Sequence, residues 1–428
     1  MVLLHRLLNA GADDRMWASQ FGFRPGRNTE QALHCSRRAI DLAVALRGGS
    51  AHLLALDWAK AFDSISPESL VTALRRFGVP QQFLDVVRSI YTDRTFFVVE
   101  CGVRSGNASQ HAGVCQGCPL SPFLFGIVMT VLMTDAYEML GPGAKRACEQ
   151  NNLFDVLYAD DTLIIGNSTA YVEELAHAVE CAGSNYGLKL HWGKTQALSI
   201  GTSKRIRRPD GTTIEETGSL LYLGGLLTEN GRLDSELSRR LGLASGDFQR
   251  LQRFWSHGSI SRPDKLVCFQ SFVVSTLTYG LSTMSLAKAQ RRRVDGFFAR
   301  CLRRIIGIPH SFYSRVSNQT VYRRAGTLPL TEQLAKQQLN LLGIVARSPA
   351  DSPLRRNTFI GDTLQPTISH YIRKVGRPRT NWTESVLKDG AARFQSSQAL
   401  ADNVGSRSRE EWKAHLNRIF VKPVASQS

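Results

Sequence analysis

Two apolar runs enclose an acidic break at Phe154-Asp155-Val156-Leu157-Tyr158-Ala159-Asp160-Asp161-Thr162-Leu163-Ile164-Ile165-Gly166. Run, break and run predict a β-hairpin with Asp160 and Asp161 at its tip. Adjacent carboxylates repel each other and contribute little as structure. Either this is an ordinary Asp-rich turn, or the pair holds divalent cations, which prefer carboxylate oxygens. A second buried strand, His52-Leu53-Leu54-Ala55-Leu56, ends in Asp57. A strand-end Asp is commonly a cap or turn residue; beside Asp160 and Asp161 it would complete a three-carboxylate metal site.

Around these two features the pattern mixes helices and strands. Leu3, Leu4, Leu7 and Leu8 share one helix face. Phe21 to Thr29 is a basic, turn-rich segment that flows into a helix reaching about Leu46, with Thr29 as N-cap. Arg24 and Arg27, beside glycine and proline, either hold phosphates or belong to a solvated basic turn. Ser66-Pro67-Glu68 opens a helix to about Phe77, with Ser66 as N-cap and Pro67 at the first helical position. Phe96 to Val103 predicts another strand. Gly113 to Pro122 is a tight loop opening a strongly apolar helix, Phe123 to about Met139. Gly113 and Gly117 around Gln116 either allow a ligand to approach the backbone or serve a simple helix-entry turn. Ala170 to Tyr186 reads as an amphipathic helix, Gly187 to Thr195 as turn and strand carrying Lys194, and Leu220 to Gly225 as strand and turn.

Beyond Leu233 only the helical period remains. Leu233, Leu237 and Leu241, then Phe269, Val273 and Leu277, then Val294, Phe298, Cys301 and Ile305 predict a helical bundle. From Ser348 polar residues crowd out apolar ones. The expected division is therefore 1–231, an all-helical 232–347, and a loosely packed, basic 348–428. At 428 residues more than one domain is anticipated.

Composition changes the picture in one respect. The formal charge of +17 favours polyanion partners, nucleic acid first and a membrane surface second. No apolar run reaches about 18 residues, so no membrane span is expected. Met1 to Leu8 is too short for a secretory core, and Asp13 and Asp14 argue against a transit peptide. The eight scattered cysteines suit a reducing compartment, and Cys115 and Cys118 lack a second pair at zinc spacing. The expected location is the nucleus or cytoplasm, not secretion. Arg291, Arg292, Arg293, Arg300, Arg303 and Arg304 give the bundle a basic face, for solvent or for a nucleic-acid backbone. Arg373-Lys374-Val375-Gly376-Arg377-Pro378-Arg379 reads as a basic linker or as a minor-groove hook for A·T-rich DNA.

In order, Gly22-Phe23-Arg24-Pro25-Gly26-Arg27, Asp57 with Ala61-Phe62-Asp63, Gly113 to Pro122, Tyr158 to Asp161, Gly187-Leu188-Lys189 with Lys194-Thr195, and Tyr222-Leu223-Gly224 resemble the reverse transcriptase domain of non-LTR (LINE-type) retrotransposons. A weaker likeness runs through Arg315 to Asn318, Pro329-Leu330 and Val375 to Trp382. Group II intron maturases share the first set of motifs and are the enzymatic alternative. The resemblance implies an α+β right hand: partial fingers, a palm with an antiparallel sheet, and an all-helical thumb.

It also implies an RNA-directed DNA polymerase that uses an RNA template, a DNA primer and dNTPs, with two Mg2+ ions or Mn2+ in their place. Asp57, Asp160 and Asp161 would hold the metals, and Lys194 would protonate pyrophosphate. Phe62 stands at the sugar gate, and Gln116 and Gly117 should contact the nucleotide, with Arg24, Arg27 and Tyr158 beside it. Tyr222, Leu223 and Gly224 would form the primer grip. The family's first fingers hairpin and its endonuclease have no counterpart in the sequence. The chain therefore reads as N-terminally truncated, and a catalytically inactive nucleic-acid-binding remnant is the competing class.

Overall fold

The computed structural model describes residues 1–115, 117–376 and 379–423. Gln116, Arg377 and Pro378 lie outside the described residues. The chain divides into two compact units, residues 1–39 with 49–223 and residues 40–48 with 224–428.

In chain order the first elements are α1 (Val2–Asn9), α2 (Thr29–Ala45), β1 (Ala51–Leu56), α3 (Ala61–Ser64), α4 (Pro67–Phe77) and α5 (Gln81–Tyr91). Four two-residue strands follow, β2 (Thr95–Phe96), β3 (Val99–Glu100), β4 (Val103–Arg104) and β5 (Ala108–Ser109). Next come α6 (Ser121–Met139), α7 (Pro142–Glu149), β6 (Leu153–Tyr158), β7 (Asp161–Gly166), α8 (Thr169–Ser184), β8 (Gln196–Ile200) and β9 (Ser219–Tyr222). The central sheet has the order β6-β7-β1-β8, and every neighbouring pair is antiparallel. This is the antiparallel sheet that the resemblance implied for a palm within an α+β fold. Its strands are buried along nearly their whole length, which is why they read as continuous apolar runs.

The apolar helix α6 packs against α4 and α8 and is buried on all sides from Phe123 to Met133. That burial explains an all-apolar sequence without amphipathic period. Among the described residues, α6 and the stretch Arg262–Thr283 are long and apolar enough to cross a membrane, contrary to the sequence expectation. For α6 the burial supplies a core role. Ser66 caps α4 as expected, its hydroxyl accepting the Ser69 amide at 3.1 Å. Asn28, not Thr29, caps α2: its Oδ1 accepts the Gln31 amide at 3.1 Å, and Thr29 is already helical. The strand expected over Phe96 to Val103 is instead broken into exposed two-residue pieces. Cys101 and Gly102 both take positive φ and turn β3 back onto β4.

Apart from α2 residues 40–45, the second unit holds β10 (Gly225–Thr228) and then helices: α9 (Asp234–Arg250), α10 (Gln252–Ser256), α11 (Arg262–Cys268), α12 (Ser275–Thr278), α13 (Lys288–Ile306), α14 (Ser311–Ser314), α15 (Asn318–Arg324) and α16 (Leu330–Ala346). The expected helical bundle is present, with Leu237, Phe269, Val273, Leu277, Val294, Phe298 and Ile305 in one core. The C-terminal segment corrects the sequence reading. Its helices α17 (Pro353–Arg356), α18 (Trp382–Arg393), α19 (Ser397–Ser406) and α20 (Arg409–Ile419) belong to the same unit. Trp382 and Trp412 are both 0% exposed. Their indole N–H groups donate to Ser282 O at 2.6 Å and Leu339 O at 3.0 Å. Two large rings replace the many small apolar residues that the pattern lacks.

Candidate active site

The hairpin forms as expected. Tyr158 pairs with Asp161, so Ala159 and Asp160 make a two-residue turn, and Ala159 takes a φ of 58°. Such tight turns need positive φ, a conformation that costs a non-glycine residue free energy. Hydrogen bonds hold this one from two sides. On one side Gln20, fully buried, accepts the amides of Gly22 (2.8 Å) and Ala159 (2.9 Å) on Oε1, and its Nε2 donates to Ala159 O (3.1 Å). On the other, Trp58 Nε1 donates to Thr162 Oγ1 at 3.1 Å, and that hydroxyl donates to Asp160 O at 3.1 Å.

Asp57 reaches the same place through register. Leu56 pairs with Thr162, so the next residue of β1 runs on toward Asp161. The electrostatics agree with this approach. Burial pushes the Asp161 carboxyl up to about 6, with repulsion from Asp160 and then Asp57 adding to it. Burial also raises Asp160, with Asp57 contributing and a backbone hydrogen bond opposing. Lys194 Nζ stands 4.0 Å from Asp57 Oδ2, with both side chains well exposed. The loop carrying it is fastened to β1's continuation by His191 N donating to Asp57 O (2.7 Å) and Ala59 N to Lys189 O (2.9 Å).

Among the described residues, no three His, Cys, Asp or Glu side chains are gathered tightly enough to hold an ion as they stand. The anticipated three-carboxylate cluster is therefore an approach of three acids, not a closed ligand set. Its chemistry still fits Mg2+ or Mn2+: an all-oxygen set of mutually repelling carboxylates.

Phe62 lies on α3 rather than on a loop. Its half-buried ring stacks on Phe125 at 4.2 Å and meets Phe23 edge-on at 6.3 Å. Phe23 also faces Tyr158 at 6.5 Å. Gly113 lies against α3, its amide donating to Ile65 O at 2.8 Å, and an added Cβ would meet Asp63 Cα at 3.1 Å. Gly117 takes a φ of 85° with open space around it, so backbone conformation is what calls for glycine there. Tyr222 is buried, and its hydroxyl donates to Val156 O at 3.0 Å. Leu223 and Gly224 follow with φ of 45° and 66°.

Arg24 corrects the phosphate reading. It is buried, and its Nε and Nη2 donate to Asp13 Oδ1 (2.9 Å) and Asp13 O (2.6 Å). Nη2 also reaches Asp13 Oδ2 (3.3 Å), and Nη1 donates to Trp17 O (3.0 Å) and Gln20 O (3.3 Å). All five N–H directions are thereby used and none remains for a phosphate. Arg27 is half-buried over the Phe21 ring at 5.4 Å, and burial and then Arg24 lower its pKa. Sequence reasoning missed Gln20. Its only visible signal was a lone Gln before the Phe-Gly-Phe turn.

Among the described residues of the second unit, three of the six arginines of the basic face have structural partners, Arg293 donating to Ser238 Oγ at 3.0 Å. Arg303 donates to Pro309 O at 3.2 Å and Val316 O at 2.6 Å, and Arg291 pairs with Asp389 at 3.0 Å. Arg292, Arg293 and Arg300 line a cavity of about 630 Å³ with His310 and no carboxylate. Of the proposed DNA hook, Arg373 pairs with Glu384, and Arg379 donates to Asn230 O at 2.6 Å.

A family profile described as "Reverse transcriptase (RNA-dependent DNA polymerase)" matches residues 1–226. The chain is 26% identical over 292 residues to the Pol polyprotein of the type-2 retrotransposable element R2DM of Drosophila melanogaster, covering 64% of this chain and 27% of that protein. It is 25% identical over 390 residues to the Pol polyprotein of a type-1 R2 element of Popillia japonica, covering 87% and 51%. It is also 25% identical over 304 residues to the RNA-directed DNA polymerase of the mobile element jockey of Drosophila melanogaster, covering 68% and 32%. The chain thus spans about half or less of the length of these curated relatives.

Proposed function

The chain belongs to the reverse transcriptase (RNA-dependent DNA polymerase) family, and we propose that it extends a DNA primer on an RNA template within a non-LTR retrotransposon protein. The observation that carries this reading is the meeting of Asp57, at the end of β1, with the Asp160-Asp161 turn in one antiparallel register. Divalent ions bound there would activate the primer 3′-oxygen and stabilise charge on the nucleotide triphosphate. Asp57 and Asp160 would hold those ions, and Asp161 would add negative charge from the same turn. Lys194, through Nζ, is placed beside Asp57 to give a proton to the departing pyrophosphate. Phe62 opposes the ribose 2′-oxygen, and Tyr222, Leu223 and Gly224 support the primer. Arg292 and Arg300, which line the acid-free cavity, bind the nucleic-acid backbone electrostatically.

Primer extension on a homopolymer RNA template, in Mg2+ or Mn2+, tests the reading. Wild-type protein is expected to extend the primer, and Asp160→Asn to abolish extension while leaving RNA affinity unchanged. RNA binding without extension by the wild type, in both metals, would instead mark a nucleic-acid-binding remnant.

A further inference from the structure

The acid turn is not built by its own hairpin alone. Ser19 to Phe21 runs beside β6 as a short parallel partner: Phe21 N donates to Leu157 O at 2.8 Å and Leu157 N to Ser19 O at 3.0 Å. From this segment the Gln20 side chain reaches Ala159 with one acceptor and one donor, covering both polar groups of the turn residue that precedes Asp160. Gly22 closes on the same turn so tightly that an added Cβ would stand 2.3 Å from Ala159 N. Behind it, Arg24 grips Gln20 O, Trp17 O and Asp13, fixing the backbone from which Gln20 projects. All of these groups lie in the first unit.

We propose that Gln20, Gly22 and Arg24 form a splint that positions the Asp160-Asp161 turn. Gln20 and Arg24 are then positioning residues, acting on the reaction only through where the two carboxylates stand. The inference rests on the polymerase reading for its consequence, but not for its structural content. Ala159 must hold positive φ while two repelling acids follow it. A turn under those demands drifts among conformers unless its amide and carbonyl are held. Arg24 thereby serves the turn through the backbone of Gln20, in place of binding phosphate from a basic loop.

The test compares Gln20→Ala, Gln20→Glu and Arg24→Ala with the wild type in the full chain. Amide hydrogen exchange at residues 157–162 reads the turn directly, with no metal or substrate present. Loss of the Gln20 contacts should speed exchange of the Ala159 amide by about tenfold or more, the equivalent of one net hydrogen bond. Gln20→Glu keeps both acceptor contacts but sets a carboxylate oxygen against Ala159 O, so exchange at Ala159 should again be faster than in the wild type. Calorimetric titration with Mn2+ should show weaker binding in Gln20→Ala, by roughly fivefold or more.

In primer extension, kcat per folded molecule should drop about tenfold or more while KM for dNTP stays within roughly threefold. Arg24→Ala should follow the same pattern. Unchanged exchange at Ala159 in Gln20→Ala overturns the splint, whatever the activity. Faster exchange with unchanged Mn2+ affinity and kcat reduces Gln20 to a structural residue and overturns its positioning role. A KM for dNTP raised more than about tenfold in Arg24→Ala, with exchange unchanged, returns Arg24 to phosphate binding. If the wild type does not polymerise, the polymerase reading fails, and exchange and Mn2+ affinity still decide the splint.

Discussion

Replacing Phe62 by alanine separates the proposed sugar gate from the packing role that the ring contacts show. The ring stacks on Phe125, itself 0% exposed, at a centroid distance of 4.2 Å and 20° between planes. It is only half-buried, however, and its edge-on partner Phe23 is 48% exposed. A fully buried Phe→Ala change costs roughly 3–5 kcal/mol; for a half-buried ring with one good stacking partner about 2–3 kcal/mol is expected. A ring opposing a 2′-hydroxyl imposes overlap of about 1–3 kcal/mol, which corresponds to roughly 5- to 150-fold in relative incorporation. Both numbers are measurable on one variant. Urea denaturation gives the stability change, and single-nucleotide extension with rNTP and dNTP in parallel gives the incorporation ratio. The expected outcome is both a moderate loss of stability and a rise in ribonucleotide use. Phe125→Leu should raise ribonucleotide use less, because it loosens the ring without removing it. A stability loss of this size with an unchanged ratio would refute the gate and leave Phe62 a core aromatic. An altered ratio with no stability change would refute the contribution of the Phe125 stack.

Two further outcomes follow from buried groups. Asp155 accepts from Trp17 Nε1 (3.0 Å), Tyr137 OH (2.7 Å) and Ser19 Oγ, so Asp155→Asn should cost about 1–3 kcal/mol by turning an amide donor toward these donors, as denaturant midpoints would show. Burial raises its pKa, so the folded state binds this proton more readily than the unfolded chain. The wild-type-minus-variant stability difference should therefore be largest below the ordinary carboxylate range and shrink as pH rises through the raised value, and a flat difference across that window would contradict it. Trp412→Ala should destabilise the second unit by about 3–5 kcal/mol, since its ring stacks on Phe394 at 5.5 Å and covers Gly343; a loss under about 1 kcal/mol would restore the loosely packed tail.

The parts legible in the sequence were those written in short-range pattern. The hairpin tip, the strand ending at Asp57 and the Ser66-Pro67 helix start each occupy a few consecutive residues, and each formed where expected. What the sequence hid was partnership over distance. The charge of Arg24 was plain, but nothing near it revealed that Asp13 and two carbonyls would use every N–H. Gln20 meets Ala159 across 139 positions, beyond any local period. Phe96 to Val103 has strand composition, yet Cys101 and Gly102 at positive φ decided otherwise. The tail misled because apolar residues were counted rather than weighed. Trp382 and Trp412 bury as much surface as several leucines while leaving the segment polar on average.

The distribution of polar burial in the first unit has a common direction. Asp155 takes three side-chain donors inside the sheet, Gln20 takes both polar groups of Ala159, and the Trp58-Thr162 pair takes the Asp160 carbonyl. These networks surround an unfavourable arrangement: a positive-φ alanine followed by two acids whose carboxyls are raised by burial, with Asp57 adding to both and Asp160 to Asp161. Satisfied buried polar groups rigidify because any departure leaves one unpaired in low dielectric. An apolar surround of equal stability would tolerate sliding of the turn, since dispersion has little directional preference. The first unit thus uses directional bonds where the proposed chemistry depends on carboxylate position, and apolar packing in α6 and α8. Strain and charge repulsion persist at the tip because the surrounding bonds over-determine it.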